Sequence, residues 1–436
     1  MSAALRSGWG RAALIAAAFA AAGIALAVLL QPVHPVGDMA HYRSLGLSLA
    51  CGRGYAQENG WPTAQRVPGY PLLQAGVYAA FGPSLQAVRL MQVLIAAATL
   101  LLIYGLAVAV LGDRRAALWA AGAAALYPAT MFYAQTLLSE TLFAFLLVAA
   151  VWCAVSARRG NPLAAAGAGA LVGAAALTRP VGLILGPALA LVVWWPRTQR
   201  RQPTLLLAAA ALTLSPWVVR NATAMGRPIL SDLTGGKNLL IGCNTYAGAR
   251  QQGRRLFGTS ADPLAGVTGE IALDDAARRA ALAYLRGRPG RIAALAPLKL
   301  AAFWGLDREL LYEYREGYFG PRPWLCWPLA LAGLGLAPLA GLALLGAASA
   351  DLRAAAPLWA VVLALWLPHA LLFAEPRFHF PLTPLLAVFA GRALARGRVR
   401  LPVRQRPGLA WAAAACALAA IWTADIAASF SKFTEI

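Results

Sequence analysis

The sequence predicts an all-α polytopic membrane protein, on the strength of its composition, its mean hydropathy and the long runs that its apolar residues form. Of its 436 residues, 60% are hydrophobic and only 13% are charged, and the mean hydropathy is +0.62. Soluble globular proteins do not reach such values, because they keep a polar surface. A segment that crosses the hydrocarbon core needs about 20 apolar residues and must satisfy its backbone polar groups internally. We therefore expect the spans to be helices.

The apolar runs predict about eleven membrane-spanning helices. The first run is too long for an ordinary signal peptide, so we expect it to be retained as the first helix. Two connections between runs are far longer than a turn, and we expect interfacial helices within them. The predicted spans are residues 11–31, 86–111, 116–133, 137–157, 162–178, 180–196, 204–220, 324–348, 355–373, 379–395 and 409–430.

The basic residues predict how these helices are oriented. Lys and Arg total 38 against 17 Asp and Glu, which gives a net charge of +21. In a soluble protein this excess would suggest nucleic-acid binding, but here it concentrates in short loops, as in the cytoplasmic loops of membrane proteins. The alternation of these loops puts the N-terminus in the cytoplasm and the C-terminus outside. Both long connections, residues 32–85 and 221–323, then lie on the outer face.

We expect a single transmembrane domain over residues 1–430, followed by a short tail at 431–436. Within the second outer loop, charged and apolar residues alternate with helical period. This predicts an amphipathic helix at the interface, followed by an apolar helix too short to span. The chain has no P-loop, GxSxG or HExxH motif, and its four histidines are scattered. Nucleotide hydrolysis and membrane metalloproteolysis therefore lose support.

Several charged residues from distant parts of the sequence are predicted to lie on the same outer side. Asp38 follows the first span, Glu140 begins the fourth, and Arg179 lies in a turn between two spans. An acid at a membrane boundary is costly to desolvate, so it usually faces protein or a water-filled cavity. A shared site is one interpretation. The alternatives are that Asp38 caps a helix, Glu140 complements a helix dipole and Arg179 anchors the chain at the interface.

The stretch "AEPRFHFPLTP" crowds an acid, an arginine, a histidine and three prolines at the start of one predicted span. Membrane anchoring does not require this combination. The planar guanidinium of Arg377 can bind a phosphate through two donors. Glu375 can instead pair with Arg377 for structural reasons.

An ordered set of short motifs resembles the bacterial membrane glycosyltransferases of the GT-C superfamily. The motifs are an acid and a tyrosine before "LACGRGY", then "RVPGYP", "LLSETLF", "LTRP", "PWVVRN" and "EPRFHFPLTP". The sequence is most similar to the family 39 branch, relatives of protein O-mannosyltransferases and of the enzyme that adds aminoarabinose to lipid A. The resemblance covers roughly residues 1–395, and the order of the motifs is its specific part. Such enzymes transfer a monosaccharide from a polyprenyl phosphate, with inversion, on the outer membrane face.

The resemblance implies roles for individual residues. Its first outer loop holds the catalytic acid, so Asp38 becomes the candidate general base that takes the proton of the acceptor hydroxyl. Glu140 matches the region in which relatives place a second acid, and it would orient the acceptor or the sugar. The leaving phosphate needs fixed cations, for which the candidates are Arg377, Arg179, Lys237 and Arg43. The remaining candidates for substrate binding are Tyr42, His41, Glu58, Arg66, Glu375, His379 and Tyr246.

The sequence departs from the family pattern at one point. Relatives often carry a second acid beside the first aspartate, whereas Met39 follows Asp38 here. This weakens a metal-dependent version of the reaction, and we expect no obligatory metal or other cofactor. The expected partners are a polyprenyl-phosphate-linked sugar, a lipid- or polymer-linked acceptor and membrane lipids, with no nucleic acid. We expect a monomer in the bacterial cytoplasmic membrane, with its active site facing the periplasm.

Other function classes stay open at this point. Transporters and lipid flippases commonly show repeated halves and ionisable groups near the bilayer midplane, whereas the candidates here gather at one face. A glycan polymerase or ligase would use a diphosphate-linked oligosaccharide in place of a phosphate-linked monosaccharide. A scaffold without catalysis would leave the outward acids and arginines unexplained.

Overall fold

The computed structural model of the protein describes residues 3–30, 34–195, 201–397 and 413–425. The predicted tail at 431–436 lies outside these residues. Within them the regular structure is helical, and one isolated bridge joins Ala56 to Pro62. The helices are α1 (Ala3–Leu29), α2 (Gly37–Ala50), α3 (Gly69–Phe81), α4 (Leu85–Leu111), α5 (Arg114–Leu126), α6 (Pro128–Tyr133), α7 (Glu140–Ala157), α8 (Pro162–Thr178), α9 (Leu185–Trp194), α10 (Arg201–Met225), α11 (Gly235–Gly242), α12 (Glu270–Gly287), α13 (Pro289–Phe303), α14 (Glu309–Arg315), α15 (Cys326–Leu334), α16 (Leu336–Ala347), α17 (Leu352–Trp366), α18 (Thr383–Arg396) and α19 (Ala413–Asp425).

The chain is an all-α, multi-pass membrane protein, as the composition predicts. Each of the eleven predicted spans overlaps a helical segment of the described chain, and seven segments are long and apolar enough to cross a membrane. The predicted span at 116–133 is interrupted: α5 ends before Tyr127, whose ψ of 110° is extended, and α6 begins at Pro128. The break follows from proline, which disfavours the helical conformation of the residue before it.

Small residues let neighbouring spans approach closely. Gly169 of α8 faces the backbone of α10, where a Cβ would collide with the carbonyl oxygen of Leu206. Gly391 of α18 faces α5 in the same way, against the carbonyl of Ala116. In a membrane, where lipid is as apolar as the protein, such close packing is a main source of helix association. The abundant Gly and Ala of this chain therefore serve to join its spans.

The two long connections fold against each other. Glu270, the first residue of α12, accepts hydrogen bonds from Gln57 Nε2 at 2.5 Å, Thr63 Oγ1 at 2.6 Å and the backbone N–H of Ala64 at 2.9 Å. One carboxylate thus satisfies three donors of the first connection from within the second. This contact closes one wall of the candidate site.

The motif "PWVVRN" of α10 also holds these connections. Trp217 Nε1 donates to the carbonyl of Ser231 at 2.8 Å, and Asn221 Nδ2 donates to the carbonyl of Ile229 at 2.9 Å. Arg220 donates to the carbonyl of Thr63 at 2.8 Å. All three side chains donate hydrogen bonds to backbone carbonyls that lie outside helices and therefore have no acceptor role within a helix. The motif is therefore structural in this protein.

Helices α12 and α13 form where the alternating pattern predicts them. Asp274 of α12 is buried, and it accepts a hydrogen bond from the backbone N–H of Gly236 at 2.6 Å. It also pairs with Arg278 at 2.7 Å. The contact fastens α11 to α12, and Gly236 is needed there because a Cβ would strike the backbone of Asp274.

We predict that Asp274→Ala loosens the second connection. The change leaves the buried N–H of Gly236 without its acceptor, which costs about 1–3 kcal/mol. Limited proteolysis of the detergent-solubilised protein should then cut between residues 231 and 290 faster than in the wild type. Asp275→Ala is the matched control, because Asp275 pairs with Arg227 at the surface and exposed pairs contribute little. Equal cleavage of both variants would contradict the prediction.

Candidate active site

A cavity of about 700 Å³ lies where the ends of the spans meet the two long connections. Its wall combines residues of α2, α7, α11 and α12 with the turn at 180–184 and the segment 365–381. Seven of the thirteen residues that the sequence predicts for the site line this cavity. They are Asp38, Tyr42, Arg66, Glu140, Arg179, Lys237 and Arg377.

Asp38 lies in the first turn of α2 and makes two ion pairs. Its Oδ1 accepts a hydrogen bond from Nη2 of Arg66, and its Oδ2 accepts one from Nη2 of Arg377 at 3.1 Å. The cap residue of α2 is Val36, and no side-chain hydrogen bond caps this helix. The contacts of Asp38 therefore favour the shared site over the capping alternative.

The charge environment keeps Asp38 ionised. Burial acts to raise the pKa of Asp38, but the positive charges of Arg66 and Arg377 outweigh burial and leave the pKa below its usual value. Arg179 lowers the pKa of Asp38 as well, with a smaller effect. A carboxylate near three cations is stable as an anion at neutral pH. Asp38 is thus in the protonation state that a general base requires.

Glu309 is the second partner of Arg377. It accepts a hydrogen bond from Arg377 Nη1, so that the guanidinium bridges Glu309 and Asp38. The sequence analysis missed Glu309 and offered Glu375 as the structural partner of Arg377. In the structure, burial raises the pKa of Glu375, and Arg250 and Arg377 only partly offset that effect.

Glu140 and Arg179 form a second ion pair across the cavity wall. Their Oε1 and Nη1 atoms are 2.6 Å apart, and the Glu140 side chain is only 2% exposed. Ser139 joins this pair to α2, because its Oγ lies 3.3 Å from Arg179 Nη1 and 3.4 Å from Tyr42 Oη. Arg179 is therefore a paired residue of the site, and the sequence alternative of a lone interfacial anchor does not describe its contacts.

Three polar atoms of the site have no hydrogen-bond partner among the described residues although they are buried. They are Nε of Arg66, Nε of Arg377 and Oε2 of Glu140. A buried polar atom without a partner costs about 1–3 kcal/mol. Two unused donors and one unused acceptor around a cavity are what a ligand with phosphate and hydroxyl groups would satisfy.

Phe378 positions the two arginines that come from the spans. The guanidinium carbons of Arg179 and Arg377 lie 5.9 and 5.7 Å from the centre of its ring. A cation over an aromatic face is attracted by the ring quadrupole. The phenylalanine of "EPRFHFPLTP" thus contacts both charges with one ring, a role that the sequence analysis did not assign.

Another part of the wall comes from the second long connection. Lys237 of α11 lines the cavity, and its Nζ lies 5.0 Å from the ring centre of Phe257. Arg254 also lines the cavity. Nearby, burial raises the pKa of Asp232 to about 6. This wall adds cations to the cavity from a different part of the fold.

Comparison with known proteins agrees with this architecture. A family model described as dolichyl-phosphate-mannose-protein mannosyltransferase matches residues 65–219. The structure is similar to the apo oligosaccharyltransferase of Archaeoglobus fulgidus, with a TM-score of 0.52 and 15% identity. The alignment covers 91% of this chain and 51% of that chain, so this protein spans about half the length of that relative. The family model over part of the chain and the similar fold both agree with the resemblance to the GT-C superfamily of membrane glycosyltransferases.

Two structures of ArnT from Cupriavidus metallidurans match with lower TM-scores. The structure bound to undecaprenyl phosphate has a TM-score of 0.40 and 15% identity, with 88% of this chain and 77% of that chain covered. The apo structure has a TM-score of 0.42 and 17% identity, with 91% and 78% covered. No curated protein matches the chain. The resemblance to the GT-C superfamily that the motifs predict is confirmed, and the roles of single residues stay predictions.

The remaining predicted residues lie outside the lining of this cavity. Arg43 is half-buried on α2, where its buried Nε has no partner within the described part of the chain, and His41 lies on the same helix. Glu58 and Tyr246 are exposed. His379 is buried and stacks on Trp304, with Nδ1 2.9 Å from the carbonyl of Phe303. The expectation that no metal is obligatory also stays a prediction.

Glu309 belongs to a cluster that the sequence does display. Four of the 17 acids of the chain fall between residues 307 and 316. In a membrane protein so poor in acids, this density was the available signal. It was missed because the segment lies far from every motif of the resemblance.

We predict that Glu313→Gln removes a pH-dependent loss of stability. Burial, together with the negative charge of Glu309, raises the pKa of Glu313 from 4.5 to about 8. Between these values only the unfolded chain ionises at this position, so wild-type stability falls from pH 4.5 to pH 8 and then levels off. Thermal unfolding in detergent should show a Tm advantage of the variant that grows across this window.

The exposed Glu316 of the same segment supplies the control for this measurement. Glu316→Gln makes the same chemical change at an exposed position. Its Tm should follow the wild type at every pH. A constant Tm difference between Glu313→Gln and the wild type would show that Glu313 does not titrate as described.

Proposed function

We propose that the protein is an inverting glycosyltransferase that moves a monosaccharide from a polyprenyl phosphate to a cell-envelope acceptor. The acceptor would be a glycolipid, a polysaccharide or a protein. The observation that carries this proposal is a single cavity in which Asp38, Arg66 and Arg377 meet beside an apolar wall. A lipid-linked sugar phosphate requires both kinds of surface.

The apolar wall suits the lipid chain of the donor. Phe143 of α7, Ile184 before α9 and Leu365 of α17 line the cavity. They belong to apolar helical segments, so the cavity offers the isoprenoid chain an apolar surface beside the charged groups. Burial of isoprenoid carbon there would be favourable by the hydrophobic effect.

The arginines suit the phosphate. Arg66, Arg179 and Arg377 reach the cavity from three separate segments. When the sugar leaves, the phosphodiester becomes a phosphomonoester, and a second negative charge develops on it. Guanidinium groups that are already in place stabilise this charge without reorganisation.

Asp38 would act on the acceptor. Its carboxylate takes the proton of the acceptor hydroxyl while the hydroxyl oxygen bonds to the anomeric carbon. The bond from that carbon to the phosphate oxygen breaks in the same displacement, so the configuration inverts and polyprenyl phosphate leaves. Oε2 of Glu140, a buried acceptor without a partner, is suited to receive a hydrogen bond from a sugar hydroxyl.

The matched family supports this class of donor. Its description names dolichyl-phosphate-mannose, a polyprenyl-phosphate monosaccharide. We infer the bacterial cytoplasmic membrane as the location, with the site on the periplasmic face and the N-terminus in the cytoplasm. We also infer a monomer that needs no obligatory metal or other cofactor. The sugar and the acceptor are left for experiment.

The proposal is tested with a panel of undecaprenyl-phosphate monosaccharides and a cell-envelope extract. Release of undecaprenyl phosphate that depends on the sugar, followed by mass spectrometry, would identify the donor. A diphosphate-linked oligosaccharide belongs in the panel, because its consumption would favour a glycan ligase. No consumption of any donor by folded protein would contradict the proposal.

We predict that Asp38→Asn abolishes transfer. The amide preserves the size of the side chain but cannot accept the acceptor proton, and general-base catalysis contributes roughly 10²- to 10⁴-fold to a rate. Transfer with the active donor of the panel should fall by about this factor, while donor binding is retained. A wild-type rate in this variant would remove Asp38 from the mechanism.

We predict that Arg377→Ala weakens donor binding by about tenfold or more, because a charge-assisted hydrogen bond to phosphate is lost. A thermal-shift titration with the active donor measures the affinity. Arg286→Ala is the matched control, since Arg286 is exposed at the end of α12 and does not line the cavity. If Arg377→Ala binds the donor as the wild type does, the phosphate contact lies elsewhere.

A further inference from the structure

Asp38 accepts a hydrogen bond from only one of the two donors on the facing edge of each arginine that it contacts. Both Arg66 and Arg377 donate to it through Nη2. In a guanidinium, Nη2 and Nε lie on the same edge and form a fork for two oxygens. In both arginines, Nε is buried and has no partner among the described residues. Two forks therefore face one carboxylate, and each has one unused donor.

A phosphodiester would fill these forks better than the carboxylate does. Its phosphorus is tetrahedral, and its two non-bridging oxygens carry enough lone pairs to accept hydrogen bonds from all four donors. It would bind on the same edges as Asp38, so the two anions compete. The Asp38 carboxylate occupies the place of a phosphate.

Both arginines have a second anchor that does not involve Asp38. Arg377 is held through Nη1 by Glu309, and the guanidinium carbon of Arg66 lies 5.6 Å from the ring centre of Tyr42. Either side chain can therefore exchange one anion for another without leaving its position. Glu309 is in this sense a positioning residue for the phosphate site.

The same contacts make Asp38 a poor base in the free protein. Each of its oxygens accepts a hydrogen bond from a cation, and these cations hold the pKa of Asp38 below its usual value. Efficient general bases have pKa values near the working pH. The candidate base is ionised but is not available to an acceptor hydroxyl.

We propose that the donor phosphate displaces Asp38 from Arg66 and Arg377, and that this displacement makes Asp38 available as the base. The inference rests on the proposed function and adds an order to it, since the donor must bind before the acceptor can react. Asp38 then takes the proton of the acceptor hydroxyl, and the phosphate departs with the electrons of the broken bond. When polyprenyl phosphate leaves, Asp38 returns to the arginines and releases its proton to solvent.

Several charged and titratable groups interact electrostatically with Asp38. Arg179 approaches from the turn before α9, and the acids approach from α14. The groups are Arg66, Arg179, Arg377, His41, Tyr42, Glu309 and Glu313.

The test measures binding of the methyl phosphodiester of undecaprenol to the full-length protein in detergent. This probe has no sugar, and it keeps a single negative charge between pH 4 and pH 7, so its own titration does not contribute. At pH 7, Asp38→Asn should bind it about tenfold more tightly than the wild type, because the competing carboxylate is absent. Glu316→Gln, which removes one exposed negative charge just after α14, should bind as the wild type does.

The pH dependence provides the second readout. In the complex Asp38 has lost both arginines and lies beside the phosphate anion, so its pKa is higher there than in the free protein, where the arginines keep it below its usual value. Binding to the wild type therefore takes up a proton as pH falls, and the affinity difference between Asp38→Asn and the wild type should narrow between pH 7 and pH 4. Glu309 and the other acids titrate in both proteins and cancel in the comparison. A difference that is independent of pH would overturn the inference.

The outcomes separate the inference from the proposed function. Equal or weaker binding by Asp38→Asn at pH 7 would overturn the displacement and leave the glycosyltransferase proposal intact. Absence of binding to any folded form, with Tm and gel-filtration profiles of the wild type, would contradict both. Tighter binding by Asp38→Asn that converges with the wild type at low pH supports the displacement.

Discussion

The ion pairs of Asp38 with Arg66 and Arg377 are the constraint on which this end of the helix bundle depends. Charges at the edge of a membrane must be paired or solvated, because an isolated buried charge is too costly. The three residues come from α2, the first long connection and the segment before α18. Their pairing therefore requires distant parts of the chain to meet at one point, and Glu309 adds α14 to the same group.

The polar contacts between the two long connections serve the same end. Glu270 satisfies three donors of the first connection, and Asp274 fastens α11 against α12. These bonds hold the segment that carries Lys237 in the cavity wall and help to enclose the cavity. Enclosure lowers the local dielectric constant, which strengthens every charge interaction inside. The fold thus builds a site in which a phosphate would meet strong fields beside an apolar surface.

The structure brings some of the residues predicted from the sequence to one cavity and leaves others outside its lining, for a definable reason. Asp38, Arg179 and Arg377 stand in recognisable motifs at span boundaries, and the structure brings them to one cavity. Glu309 lies in no motif, and its contact with Arg377 depends on how α14 packs. Glu58 and His379 were chosen because they lie near motifs, but proximity in sequence does not determine the direction of a side chain.

The sequence by itself determined the class of the protein and its spans, because hydrocarbon requires apolar helices of a certain length whatever surrounds them. The short motifs were sufficient to indicate the GT-C superfamily. Only the tertiary structure decided which acid pairs with which arginine and which donors stay unused. Those facts depend on distances between segments that are more than 300 residues apart, as between Asp38 and Arg377. No local pattern encodes such distances, since they arise when all the helices pack together.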